Sequence, residues 1–361
     1  MVECPILISS GTINTILLSN TDTMQVEAKA ILRSGLESID DAQMDATKSF
    51  EAGKTKATQI ICTPYYCVYQ TMNNKSKASV IGALQGIESD AIPLLYDKRA
   101  EELLQASAVP KKDQRLLGQL LKKDQTYTIT DFESLLARKT PHLLKKDSHS
   151  KVLATLALNY YQQQKDFPIV QLLLTDAGHE YAGISLRHLL CWIHEERHYK
   201  KMIPKLTLYQ NLLEPVREQI WNYYKKLLNF KELPPHQQEK QKQRLAQEFE
   251  DIFTQQTTYQ KLNKRLAQTL SRKDKLLRVL EFPQVPLHNN TAELDVRRKA
   301  RKRDISLHTM SLKGTQAQDA FMSVVQTATK LGVNAFEYLL DRLTGKYEMT
   351  ALADLIKLRF N

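Results

Sequence analysis

Residues 166–178 read DFPIVQLLLTDAG. The apolar run from Ile169 to Leu174 is interrupted only by Gln171, and Thr175, Asp176 and Gly178 close it. A short continuous apolar run between turn residues predicts a strand buried on both faces. It is far too short to span a bilayer. Asp176 then projects from the end of a buried strand, where α/β sheets commonly hold their sites. Taken alone, an Asp at that position is more often a turn residue, so its meaning depends on what else the chain brings.

Upstream, ATQIICTPYYCVYQTM (57–72) is rich in β-branched and aromatic residues and breaks at Thr63-Pro64, which predicts two strands in a hairpin. The preceding LESIDDAQMDATKSF (36–50) is more polar and holds an earlier strand ending near Asp45, with Asp40 and Asp41 as rival acids. Residues 1–35 read as one or two short helices, with Ser10 or Gly11 at a turn and cap. Residues 78–165 read as Lys-rich, loosely amphipathic helix. Downstream, residues 205–280 repeat apolar positions at helical spacing until Pro283 and Pro286 end them. AQDAFMSVVQTATKLG (317–332) and FEYLLDRL (336–343) are amphipathic helices, with Gly332 at a C-cap position. Strands, helices, a buried strand, a helical block and a terminal helical region make a mixed α/β core interrupted by helical insertions.

Residues 286–303, PLHNNTAELDVRRKARKR, place one glutamate ahead of a basic run in which six of the seven residues 297–303 are Arg or Lys. With Asn290 as N-cap, Glu293 falls at the third helical position, where it can bond back to the cap. Acid first and base later also suits the helix dipole. The second reading is chemical. Glu293, Arg297 and Arg301 recur every four residues and share one helical face. A phosphate backbone along that face would meet a carboxylate-bound metal first and guanidinium groups next.

The totals favour an acidic partner. The 361 residues carry a net charge of +11 and a pI of about 9.3, and nucleic acid is the commonest partner of a clustered basic excess. The four cysteines, Cys4, Cys62, Cys67 and Cys191, form no C-x-x-C pair or disulfide ladder, as expected in a reducing cytoplasm. No basic segment followed by a long apolar stretch marks a signal peptide.

Asp45 and Asp176 at strand ends and Glu293 on a helix, far apart in sequence, form a set of hard oxygen donors suited to two Mg²⁺ or Mn²⁺ ions. Such a pair serves in-line phosphoryl transfer. A competing pattern is HEERH (194–198), the H-E-x-x-H spacing in which His194 and His198 bind zinc and the intervening Glu acts as base, with Glu218 as a third ligand.

A resemblance ranks these readings. PLHNNTAELDVRRKARKR and the residues through Leu343 resemble the C-terminal part of the DDE transposases of the insertion-sequence-66 group. The shared features are Asn289-Asn290-x-x-Glu293, the basic helix, Lys330-Leu331-Gly332 and Tyr338-Leu339. LLLTDAGHEYAG followed by LLCWIHEERHYKK is similar to the group's second-aspartate strand and its Cys-Trp-x-His segment, which absorbs HEERH and assigns Trp192 and His194 to packing before chemistry. His179 and Glu180 stand where the group more often has Pro-Gln. LESIDDAQMDATKSFEAGK resembles the first-aspartate region, and its ungapped match from Leu36 to Gly53 selects Asp45 over Asp40 and Asp41.

The resemblance implies a ribonuclease-H-like core with Asp45, Asp176 and Glu293 as catalytic and metal-binding residues for two Mg²⁺ or Mn²⁺ ions. Arg297, Arg298, Arg301, Lys302 and Arg303 become the candidate contacts to double-stranded DNA, at element ends and target, in a homo-oligomer assembled on that DNA. On this reading 1–35 is a helical remnant of a longer N-terminal region, 36–85 and 166–204 are the two parts of the core, 86–165 and 205–282 are helical insertions, and 283–361 carries the catalytic helix and a helical tail. An inactive DNA-binding remnant and the zinc protease are the alternatives.

Overall fold

A computed structural model describes residues 9–139 and 147–360. It divides into two compact units, one formed by the residues up to Val170 together with those from Thr291 on, the other by Gln171–Asn290.

The first unit is built on three antiparallel strands: β1 (Asp41–Glu51), β2 (Lys54–Cys62) and β3 (Cys67–Met72). Ala52 and Gly53 make the β1–β2 turn with φ of 47° and 77°, the left-handed pair that matches the twist of a two-residue hairpin. Residues directly opposite in such a ladder point to the same face. One face therefore carries Asp45, Ile60 and Tyr69, which are in register, and beside them Cys62 with Cys67. Further along that face, Ser49, Thr58 and Thr71 join hydroxyl to hydroxyl at 2.6 and 2.7 Å. This chain satisfies polar groups on a covered face. It also explains why so polar a sequence remains a strand well past Asp45, where the sequence reading ended it.

Helices α1 (Ser10–Ser19) and α2 (Thr21–Ser38) precede the sheet. Helices α13 (Asn290–Ser306), α14 (Leu312–Leu331), α15 (Ala335–Leu343) and α16 (Leu352–Phe360) return to it. Side chains of α14 cover the β3 edge. Asp319, Ser323 and Thr327 accept hydrogen bonds from the backbone N–H groups of Thr71, Tyr69 and Cys67 at 2.6, 2.9 and 3.1 Å. Four helical residues rise about 6 Å, nearly the roughly 6.8 Å of two strand residues, so a polar residue at every fourth position can cap every second N–H. An open edge becomes a packed one. Gly332 ends α14 with φ 74°, the expected left-handed cap.

Between β3 and the second unit lie α3 (Lys77–Leu84), α4 (Lys98–Ala106), α5 (Lys111–Leu120), α6 (Ile129–Lys139) and α7 (Asp147–Gln163). The helical reading of this stretch needs one correction. Strands β4 (Pro93–Tyr96) and β5 (Gln125–Thr128) pair antiparallel within it. Four residues each are too few for a periodicity to register.

The second unit contains the quoted run as β6 (Leu172–Thr175), buried at all four positions. Strand β7 (Arg187–Leu190) pairs with it in parallel, Leu174 opposite Leu189. Helices α8 (Trp192–Lys200), α9 (Thr207–Lys231), α10 (Pro235–Thr254), α11 (Gln260–Leu270) and α12 (Lys273–Leu276) follow. Their core gathers around Trp192, whose indole N–H donates to the Leu276 carbonyl at 2.9 Å and whose ring meets Tyr223 and Phe249. Antiparallel and parallel pairings on one chain, clothed in helices, make an α/β protein. Among the described residues no helix is long and apolar enough to cross a membrane. Cys62, Cys67 and Cys191 are buried; Cys4 lies outside the described residues.

Candidate functional site

Asp45 sits in β1 opposite Ile60, half-buried, with its Oδ1 accepting from the Ala46 N–H at 2.7 Å. Ile60 belongs to a small buried cluster with Cys62, Cys67, Tyr69 and Ala292 of α13, against which Val296 and Met322 pack. Asp45 therefore shares the sheet face that α13 covers, and Glu293 is the residue next to Ala292. The Glu293 side chain is mostly buried, with its Oε2 3.9 Å from Arg297. Two of the three sequence-selected acids thus stand on one side of one sheet.

Asp176 belongs to the second unit and follows β6 directly. Its Oδ1 accepts from the Gly178 N–H at 2.9 Å, a local Asx turn. A Cβ on Gly178 would lie 2.7 Å from Glu180 Oε2 and 3.0 Å from Asp176 Oδ1, so a larger residue there would move the Glu180 side chain. Just before it, Thr175 Oγ1 lies 2.8 Å from His188 Nε2. Burial, aided by Lys275, pushes His188 down to about 4, so its imidazole is neutral at pH 7. Among the described residues no three His, Cys, Asp or Glu side chains are gathered closely enough to hold a metal ion.

The basic run of α13 splits into two roles. Arg297, Arg298, Arg301 and Lys302 are exposed; Arg303 is half-buried and donates to the Lys48 carbonyl of β1 at 2.6 Å. Lys299 turns inward instead. It is buried and bonds Asp319 of α14 at 2.6 Å and Gln318 at 2.8 Å. One turn earlier, the fully buried Asp295 pairs with Lys330 of α14 at 2.8 Å and with Arg298. Lys330 also donates to the Thr63 carbonyl at 2.7 Å. Burial disfavours the Lys330 ammonium, but the negative charge it faces, that of the Asp295 carboxylate, holds its pKa above the ordinary lysine value. Burial pushes the Cys62 and Cys67 thiols up, so they stay protonated. Two buried ion pairs thus fasten the helix that carries Glu293.

Asp295, Lys299 and Asp319 were not singled out from the sequence, and Lys330 entered only through the Lys-Leu-Gly resemblance, with no role assigned. The available signal was spacing. Ala292, Asp295, Val296 and Lys299 form an inward i, i+3, i+4, i+7 stripe, and Asp319, Ser323 and Thr327 are polar residues every fourth position on an otherwise apolar helix.

HEERH does not assemble a zinc site. Glu195 is buried and held by Arg265 and by Arg272 at 2.8 Å, and it accepts from Thr269 at 2.6 Å. Burial works against its charge, but Arg265, Thr269 and Arg272 outweigh that and hold its carboxyl below the usual range. A carboxylate so engaged is not a water-activating base. His194 Nε2 lies 3.0 Å from Arg197, and Glu218 is exposed on α9. The motif's spacing serves a structural network.

Comparison with known proteins agrees with the basic helix. The sequence profile described as Transposase IS66 family matches residues 119–317, a stretch that contains Asp176, Glu293 and the basic run but not Asp45. An uncharacterized protein, y4jO of Sinorhizobium fredii (strain NBRC 101917 / NGR234), is 30% identical over 323 residues, covering 87% of this chain and 94% of that protein. No solved structure matches the chain significantly.

Proposed function

The chain belongs to the IS66 transposase family, and from that premise we propose that it cuts DNA at the ends of a mobile element and joins those ends to a target. The fold is then ribonuclease-H-like: the antiparallel meander of the first unit and the parallel pair of the second are the strand types such a core needs. Asp45, Asp176 and Glu293 are on this reading the catalytic carboxylates, and they would hold two Mg²⁺ or Mn²⁺ ions. The observation that carries the reading is the placement of Glu293 on the α13 turn beside Ala292, over the sheet face that presents Asp45, at the head of an exposed basic run.

The donor type fits such ions. Carboxylate oxygens are the hard ligands Mg²⁺ and Mn²⁺ prefer, and Asp45 and Glu293 are partly screened from water yet not fully buried. Bound there, such ions would supply activation of the attacking hydroxyl and stabilisation of the leaving oxygen. The protein's own work is positional. Arg297, Arg298, Arg301, Lys302 and Arg303 bind phosphates, which fixes the register of double-stranded DNA without reading its sequence. The Asp295–Lys330 and Lys299–Asp319 pairs hold α13 so that the carboxylate and the cations keep one spacing. Chains assemble as a homo-oligomer on the DNA ends.

Mn²⁺ titration followed by electron paramagnetic resonance, with duplex DNA present, tests the metal assignment. Two bound ions per chain are expected, with loss of binding in Asp45→Asn, Asp176→Asn and Glu293→Gln. No bound Mn²⁺ in the wild type, or binding unchanged in all three variants, would overturn it.

A further inference from the structure

The end of α13 does something the phosphate grip does not require. Leu307 adopts φ 58°, a left-handed conformation uncommon for a branched, bulky residue. It turns the chain out of the helix, and Thr309 then pins the segment to the β1–β2 turn. The Ala52 N–H donates to the Thr309 carbonyl at 2.8 Å, and the Thr309 N–H donates to the Phe50 carbonyl at 3.3 Å. Beside this segment lies a cleft of about 520 Å³ whose lining includes Leu17 of α1, Met310 of the segment itself and Phe321 of α14, together with Asn14, Lys302 and His308. Met310 is 73% exposed. Ile305, Leu307 and Leu312 are exposed with it, and such a run of open apolar side chains at the end of a strongly cationic helix, unlike a single one, marks a surface that meets more than water.

We propose that this cleft receives an unpaired nucleotide of DNA lying along α13. The inference rests on the DNA-processing reading above and extends it. Charge complementarity selects the occupant. The phosphate contacts assigned to α13 lead to Lys302, which belongs both to the basic run and to the cleft lining, so a backbone following the helix arrives at the opening. A base that leaves the stack there exchanges neighbouring bases for the Leu17, Met310 and Phe321 side chains, while Asn14 and His308 offer hydrogen-bonding groups to its edge. An intact duplex keeps its bases stacked and meets only the basic face of the helix.

The test compares binding, at fixed salt, of a plain duplex and of the same duplex carrying one unpaired thymine. Wild-type protein is expected to bind the second about tenfold more tightly, the order of one well-buried aliphatic contact. Leu17→Ser/Met310→Ser should bring the ratio close to one while plain-duplex affinity and its salt slope stay unchanged. Photocrosslinking through 4-thiothymine at the unpaired position, mapped by mass spectrometry, should label the 306–310 segment or α1 of the unaltered chain. A wild-type ratio near one, a ratio that survives the double substitution, or crosslinks confined elsewhere would overturn the proposal and leave the transposase reading intact. Absence of any DNA binding would overturn both. Self-association without DNA that the double substitution abolishes would assign these side chains to a second copy of the chain, and the proposal would fall.

Discussion

Lys299→Met removes one partner of a buried ion pair while nearly preserving side-chain length. Lys299 and Asp319 are 2.6 Å apart, with side chains 3% and 9% exposed. Breaking such a pair from one side costs about 3–5 kcal/mol, because the remaining charge stays buried. Asp319 keeps the Thr71 N–H on its other oxygen, which places the loss near the lower end, about 3 kcal/mol. For a unit of this size each kcal/mol moves the melting temperature by about 2–4 °C, so the first unit should melt roughly 6–12 °C lower. Lys299→Met/Asp319→Asn, which leaves no unpaired charge and retains an acceptor for Thr71, should recover about 1–2 kcal/mol. Calorimetry gives the melting temperatures, and a salt series of DNA binding gives the second readout, whose slope should not change. A variant that melts within about 2 °C of wild type but binds DNA with a shallower slope would refute the reasoning, since Lys299 would then be facing phosphate.

Arg301→Ala, an exposed change on the same helix, should leave stability within about 0.5 kcal/mol and lower the magnitude of the logarithmic salt slope of duplex binding by roughly 1; an unchanged slope would remove Arg301 from the interface. Glu195 has a depressed carboxyl, so its contribution is present above the unfolded value of about 4.3 and is lost as pH falls through the lower folded value. The second unit should therefore weaken below about pH 4, and Glu195→Gln should weaken it at neutral pH and flatten that acid limb in a pH series of melts. His188, folded near 4 against about 6.5 unfolded, takes up its proton more readily in the unfolded chain. Stability should fall by up to about 3 kcal/mol as pH drops between those values, and its imidazole resonances should stay constant above pH 5; a midpoint near 6.5 would mean that the ring is solvated. Ser323→Ala strips the Tyr69 N–H of its acceptor and should cost about 1–3 kcal/mol, visible as faster amide exchange at Tyr69.

Patterns carried by a single element were legible in the sequence. The run ending at Thr175 is a fully buried strand, the break at Thr63-Pro64 separates two paired strands, and Gly332 caps α14. Features that depend on a distant partner were not. Strand β1 looks too polar to continue past Asp45 until Thr58 and Thr71 are seen to complete the hydroxyl chain begun by Ser49. RHLL is too short to announce a strand by itself, and its parallel neighbour β6 makes it one. HEERH has the spacing of a metal motif, and only Arg265 and Arg272, some seventy residues later, show how Glu195 is used. By residue type alone Lys299 resembles the arginines around it. Helical phase turns it toward Asp319 and turns Arg301 toward solvent.

Nicking of supercoiled plasmid in Mn²⁺ tests the carboxylate assignment most directly. Wild-type protein should cut, and Asp45→Asn, Asp176→Asn and Glu293→Gln should each lose at least about a hundredfold in rate while binding DNA as before. Cutting that survives any one of these substitutions would remove that residue from the triad, and a wild-type protein that binds DNA but leaves it intact would contradict the catalytic reading.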